Sequence, residues 1–282
     1  MEYLLGIDGA FVRDPVNPRR APGPFGDKSV IEWPQYRLPG WLDSIADAGP
    51  IETLEIRCRR LVARVRVLLY ATPEPPGADA PLLVVHDGPE YAEYSALTRF
   101  LDAMSWEERI PPLRAALIQP VDRDETYSAS ALYAAALVRE LLPEIAKLAP
   151  HRTRVGLGAS LGALAMLHAH RRHPKAFDGL LLQSGSFFQQ RWDKVESTFG
   201  RYQRITRFVG SVLRAERAER TIPIAITCGT AEENRVNNEA MVDALVAQGY
   251  PAWLALVRDA HNWTCWRDAL DPHLPALIEA VT

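Results

Sequence analysis

The chain has 282 residues, 48% of them hydrophobic and 24% charged, enough for one large domain with a complete core and too apolar for a disordered one. A net charge of −3 with scattered arginines gives no field that would gather nucleic acid or an anionic membrane. No run reaches the roughly 18 apolar residues that span a bilayer, and M-E-Y-L-L-G-I-D-G-A lacks the basic and apolar regions of a secretory leader. The expectation is a cytoplasmic protein acting on a small molecule. Its three cysteines, Cys58, Cys228 and Cys265, show no C-x-x-C spacing and read as reduced, buried thiols.

Residues 14–41 are dense in proline and too irregular for a helix or a central strand. They read as an extended arm, residues 1–48, whose Phe25, Trp33, Tyr36 and Trp41 would be wasted on a free linker. The arm therefore lies against the body, either as surface packing or along the border of a substrate pocket. From residue 51 the text alternates: I-E-T-L-E-I-R-C and L-V-A-R-V-R-V-L-L-Y read as an antiparallel pair at one sheet edge.

Beyond this pair, apolar strands at 81–86, 113–119, 153–157, 177–183, 222–228 and 252–257 take turns with helical periodicity. The helices are expected at 95–104, 129–148 with a bend at Pro143, 161–172, 203–217, 233–248 and 263–280. Fully apolar strands alternating with helices mean an α/β fold, a mostly parallel sheet covered on both faces, built from residues 49–282. Functional groups then belong at the carboxyl ends of the strands.

One strand end carries V-G-L-G-A-S-L-G-A-L-A-M, Val155 to Met166. As a dinucleotide fingerprint it would want glycine where Leu161 stands and an acid at the end of the next strand, but Asp178 opens that strand instead. As a nucleophile elbow it needs small residues around a serine on a sharp strand-to-helix turn, and Gly158, Ala159 and Gly162 supply them around Ser160. The elbow also requires an acid and a histidine, in that order, at later strand ends. C-G-T-A-E-E follows the strand ending at Cys228, and R-D-A-H-N-W follows the strand ending at Val257.

Of seven histidines only His261 stands just past a late strand. His168, His170 and His173 have spacings that do not share one helix face, so no metal site is expected there. His86 ends a strand near the site and is expected to be a hydrogen-bonding scaffold.

The sequence resembles the enterochelin esterase branch of the α/β-hydrolase superfamily, whose relatives include esterase D and the mycolyltransferases. The likeness spans about residues 50–280 and is carried by H-D-G-P-E-Y at 86–91, G-A-S-L-G-A at 158–163, Q-S-G-S-F-F at 183–188, C-G-T-A-E at 228–232 and H-N-W-T-C-W-R at 261–267. D-P-x-N-P and P-F-G-D-K-S-V in the arm also resemble the N-terminal region of this branch, although the arm is too short for the β-sandwich that some relatives carry.

The resemblance implies an α/β-hydrolase fold and a serine esterase with Ser160 as nucleophile, His261 as base and Glu232 as orienting acid, with no cofactor and no metal. Glu233 is the rival acid, and Asp259 is a poorer one with a surface role expected. Leu161 N–H should give one oxyanion donor. The family takes the second from the residue after D-G, which here is Pro89 and has no N–H, so Gly88, Glu90 or a shifted loop must supply it. Arg123, Trp263 and Phe187 are the candidate substrate contacts, with Phe188 and Trp266 nearby. Arg123 either holds an anionic group of the substrate or pairs with Asp122, Asp124 or Glu125. Hydrolysis of a small or medium carboxylic ester through an acyl-enzyme is the expected reaction, with an aryl or siderophore-like ester and a general short-chain ester as the candidate substrates, and with acyl transfer to an alcohol, or a weak or inactive hydrolase fold kept for binding, as the alternatives.

Overall fold

A computed structural model describes residues 1–282. Its main sheet comprises β1 (Ile51–Cys58), β2 (Ala63–Ala71), β3 (Leu82–His86), β4 (Arg114–Ile118), β5 (Arg154–Ala159), β6 (Gly179–Gln183), β7 (Ile224–Gly229) and β8 (Ala252–Val257). The order across the sheet is β1-β2-β4-β3-β5-β6-β7-β8. Strands β3 to β8 run parallel, and the β1–β2 hairpin joins the edge antiparallel through β2 and β4. This is the α/β-hydrolase architecture expected from the sequence, edge pair included.

Period-2 alternation explains why the central strands are apolar throughout. In β3, Leu82 and Val84 face one core while Leu83 and Val85 face the other; in β6, Leu180 and Leu182 oppose Leu181. Each such buried side chain contributes about 1.5–3 kcal/mol relative to exposure.

The helices are α1 (Gly88–Tyr94), α2 (Leu97–Trp106), α3 (Arg123–Tyr127), α4 (Ala131–Ala136), α5 (Leu142–Leu148), α6 (Leu161–Arg172), α7 (Tyr202–Leu213), α8 (Arg235–Ala247), α9 (Trp263–Asp268) and α10 (His273–Glu279). One face of the sheet is covered by α4 to α8, the other by α1, α2, α9 and α10. The expected helix at 129–148 contains a π turn at Leu137–Leu141 just before Pro143, which has no N–H to continue the ladder. The expected single helix at 263–280 breaks between α9 and α10, where Pro272 cannot extend the first segment.

The N-terminal arm is more ordered than an extended strap. Glu2–Tyr3, Lys28–Val30 and Arg20–Ala21 form a small sheet, and Leu5–Ile7 pairs with Ala10–Val12. These ladders are only two or three residues long, so side chains brace them: Tyr3 donates to Asp14 at 2.6 Å and Asn17 to the Val30 carbonyl at 2.9 Å. Trp41 is buried edge-on against Phe100, their ring centres 5.1 Å apart, and Tyr36 donates to Asp268 at 2.9 Å. Phe25, by contrast, is 98% exposed.

Candidate active site

The elbow follows from glycine placement. A Cβ on Gly158 would lie 2.6 Å from the Gly162 carbonyl carbon, so only glycine lets the chain fold from β5 into α6 this tightly. The turn forces Ser160 to φ 55°, ψ −120°, a conformation costing about 1–3 kcal/mol that persists because neighbours overdetermine it. Ser160 N–H donates to the Gln183 carbonyl at 2.9 Å, and its own carbonyl accepts from Ser186 N at 3.1 Å.

Glu232 sits in the turn after β7, and its carboxylate folds back so that Gly229 N donates to Oε1 at 2.6 Å. A side chain at 229 would strike the Asp259 carbonyl at 2.5 Å and this carboxylate at 2.8 Å. His261, in the loop after β8, places Nδ1 2.9 Å from Glu232 Oε2. A carboxylate only accepts, so Nδ1 is the donor in this bond and Nε2 is the ring nitrogen it leaves free. Burial alone would push the Glu232 carboxyl up; the hydrogen bond and charge of His261, with hydrogen bonds from Ser184 and Gly229, hold it below the usual carboxylate range.

Ser160 Oγ rests 3.1 Å from Ser186 Oγ, and no hydrogen bond joins it to His261 in this state. Ser160 and His261 nevertheless border the same two cavities, of about 500 and 540 Å³. The first lies between the arm, through Phe25 and Lys28, and Glu90, Arg123 and Trp263. The second is bordered by Ser186, Phe188, Trp192, Val195 and Glu233.

The remaining candidates separate cleanly. Leu161 and Gly88 are the first residues of α6 and α1, so neither N–H has an intrahelical acceptor. Gly88 passes so close to β4 that a Cβ would lie 2.3 Å from Leu117 Cα. Arg123 does line the first cavity, yet its guanidinium is bonded to Asp87, which the sequence did not suggest: Nε to Oδ1 at 2.9 Å and Nη2 to Oδ2 at 2.9 Å. Asp122 instead caps α3, and Glu125 pairs with Arg201 and Arg204.

Phe187, expected at the substrate, borders neither cavity. It is fully buried against Gly185, and the next residue, Phe188, reaches the second cavity. Asp259 is likewise no surface residue: it is buried, accepting from Ala260 N at 2.7 Å and Asn262 Nδ2 at 3.0 Å. His86 is a scaffold, its Nδ1 on the Gly162 carbonyl at 3.0 Å and its Nε2 accepting from Tyr133 at 2.8 Å, and burial lowers its pKa to about 4. Burial raises the thiol pKa values of Cys228 and Cys265.

The serines of Q-S-G-S-F-F hold places that the sequence alone does not reveal. Ser184 donates to Glu232 Oε1 at 2.6 Å, and Ser186 Oγ lies 3.1 Å from Ser160 Oγ. Two small polar residues flanking a glycine at the end of a buried strand were the available signal.

Comparison with known proteins yields a match of residues 60–277 to the model of the family described as "Putative esterase". The chain is 32% identical over 240 residues to the iron(III) enterobactin esterase of Dickeya dadantii (strain 3937), which covers 79% of this chain and 54% of that protein. It is 31% identical over 186 residues to the protein of that name in Escherichia coli O6:H1, covering 63% of this chain and 46% of that protein. The chain thus spans about half the length of these curated relatives. Among solved structures it is similar to the enterobactin esterase of Shigella flexneri crystallised in the presence of enterobactin, with TM-score 0.81 and 26% identity over 96% of this chain and 70% of that one.

Proposed function

The chain belongs to the Putative esterase family, and from that premise we propose that it hydrolyses a carboxylic ester through an acyl-enzyme on Ser160. The observation that carries this reading is the His261–Glu232 hydrogen bond at 2.9 Å, beside cavities that His261 shares with Ser160. With Nδ1 donating to the carboxylate, Nε2 takes the hydroxyl proton as Oγ bonds to the ester carbon. The imidazolium then returns that proton to the departing alcohol oxygen. Water attacks the acyl-enzyme by the same route, its proton passing through His261 to Oγ as the acid leaves.

In this reading Leu161 N–H and Gly88 N–H are the oxyanion donors, so Pro89 does not remove the hole. Their orientation costs nothing during the reaction because two helix starts fix it. Arg123 acts chiefly by holding Asp87 and hence the Gly88 loop, and Trp263 supplies a flat apolar wall to the first cavity. Trp266, Phe188 and Trp192 add aromatic surface on either side of the nucleophile. This suits an aryl or catecholate-type ester, the class that the names of the similar proteins also suggest.

Ser160→Ala and His261→Ala should each remove nearly all turnover of a p-nitrophenyl ester, on the order of a millionfold in kcat. A fluorophosphonate should label the wild type and neither variant, since one lacks the hydroxyl and the other the base that activates it. Retention of a tenth of wild-type activity by either variant would refute the assignment. Product analysis with an added alcohol separates hydrolysis from acyl transfer.

A further inference from the structure

The Glu232 carboxylate is gripped from a direction that the reaction itself does not require. Oε2 serves His261, while Oε1 accepts from Gly229 N at 2.6 Å and from Ser184 Oγ at 2.6 Å. Ser184 is fully buried at the end of β6 and held at φ 49°, an uncommon conformation for a residue with a side chain. Its hydroxyl also accepts from Trp266 Nε1 at 2.9 Å. An indole N–H can only donate, so it occupies a lone pair of Ser184 Oγ and leaves the serine proton for the carboxylate.

The segment is braced from behind. Gly185 N donates to Asn238 Oδ1 at 2.9 Å, Asn238 Nδ2 returns to the Gly185 carbonyl at 3.0 Å, and Asn234 Nδ2 holds the Ser184 carbonyl at 3.0 Å. Trp266 also packs edge-on against His261, ring centres 5.1 Å apart, so one side chain borders both ends of the acid–base pair.

We propose that Ser184, its hydroxyl aimed by the Trp266 indole, is a positioning residue that fixes the Glu232 carboxylate so that Oε2 stays on His261. The proposal builds on the esterase reading and acts through Glu232; Ser184 touches no reacting atom. Its consequence is a chain from indole to hydroxyl to carboxylate to imidazole, running across α9, β6, β7 and the β8 loop. The ionisable groups facing Glu232 are His261, Cys228 at the end of β7 and Cys265 on α9, and burial keeps both thiols protonated.

The test is the titration of the Glu232 carboxyl, followed by 13C NMR in wild type, Ser184→Ala and Ser184→Ala/Trp266→Phe, alongside ester kinetics. A hydrogen bond to an ionised group favours the ionised form, so its loss should move the Glu232 midpoint up by about one pH unit. In Ser184→Ala, kcat should fall with KM little changed, and the thermal midpoint should drop because the indole N–H is buried without an acceptor. The double variant removes that orphaned donor, so stability should recover while the raised midpoint and low kcat persist. An unchanged Glu232 midpoint in both variants, or one restored in the double variant, overturns the proposal. The titration needs no substrate, so a wild type that cleaves no ester would defeat the esterase reading and leave this measurement decisive on its own.

Discussion

Glu232 and Glu233 are adjacent and carry the same carboxylate, but the backbone turn after Gly229 sends one inward and the other out. The Glu232 side chain is 0% exposed and bonded to His261, whereas Glu233 is exposed at the rim of the second cavity. Glu232→Gln should slow kcat by roughly ten-thousandfold, the cost of losing a triad acid, while Glu233→Gln should change it by less than about threefold, as expected of a rim charge. Equal and mild losses in steady-state kinetics would mean that Ser160 and His261 work as a pair. That Ser160, Glu232 and His261 come together was legible because each follows a strand whose apolar run is unmistakable. Phe187 turns into the core because Gly185 and Ser184 bend the chain just after β6. The alternation that tells inward from outward does not survive such a bend, and the open aromatic became Phe188.

At the scale of elements, the loop from β3 into α1 is tied to α3 by the Arg123–Asp87 pair, a contact between segments 36 residues apart. The sequence offered Arg123 only neighbouring acids because α3, five residues long, is too short to show a helical period. One of those neighbours, Asp122, is spent as the N-cap, accepting from Glu125 N at 3.0 Å. Asp87 is buried, and removing its partner leaves a carboxylate with no counter-charge beside the proposed Gly88 donor. Arg123→Ala should therefore lower kcat for neutral and anionic aryl esters alike. If the arginine instead met an anionic group of the substrate directly, only the anionic ester would suffer, through KM. A matched pair of aryl esters with and without a carboxylate distinguishes the two outcomes.

At the scale of the molecule, alternation announced a parallel sheet but not its order, since the jump from β4 across β3 to β5 is a long-range choice that no local pattern records. The same three-dimensional burial sets the response to acid. His86, His168 and His170 are enclosed, and burial lowers each pKa to about 4. Asp87, Glu90 and Asp102 are shifted upward by burial and oppose the histidines as pH falls, so a single histidine is the cleaner probe. His168 suits this role because it packs edge-on against Phe208, ring centres 4.8 Å apart, and makes no hydrogen bond with its ring. Unfolded, its imidazole gains a proton below pH of about 6.5; folded, it stays neutral until pH of about 4. Between those values the unfolded state binds more protons, so this residue's contribution is intact above the window and declines through it, by about 1.4 kcal/mol per pH unit. His168→Leu keeps the apolar contact and removes the titration. Relative to wild type, the variant should gain about 2 kcal/mol in unfolding free energy between pH 8 and pH 5 in urea titrations. A wild-type-to-variant difference that is the same at both pH values would show that His168 takes up its proton without unfolding, and that the face of the sheet covered by α6 and α7 admits water.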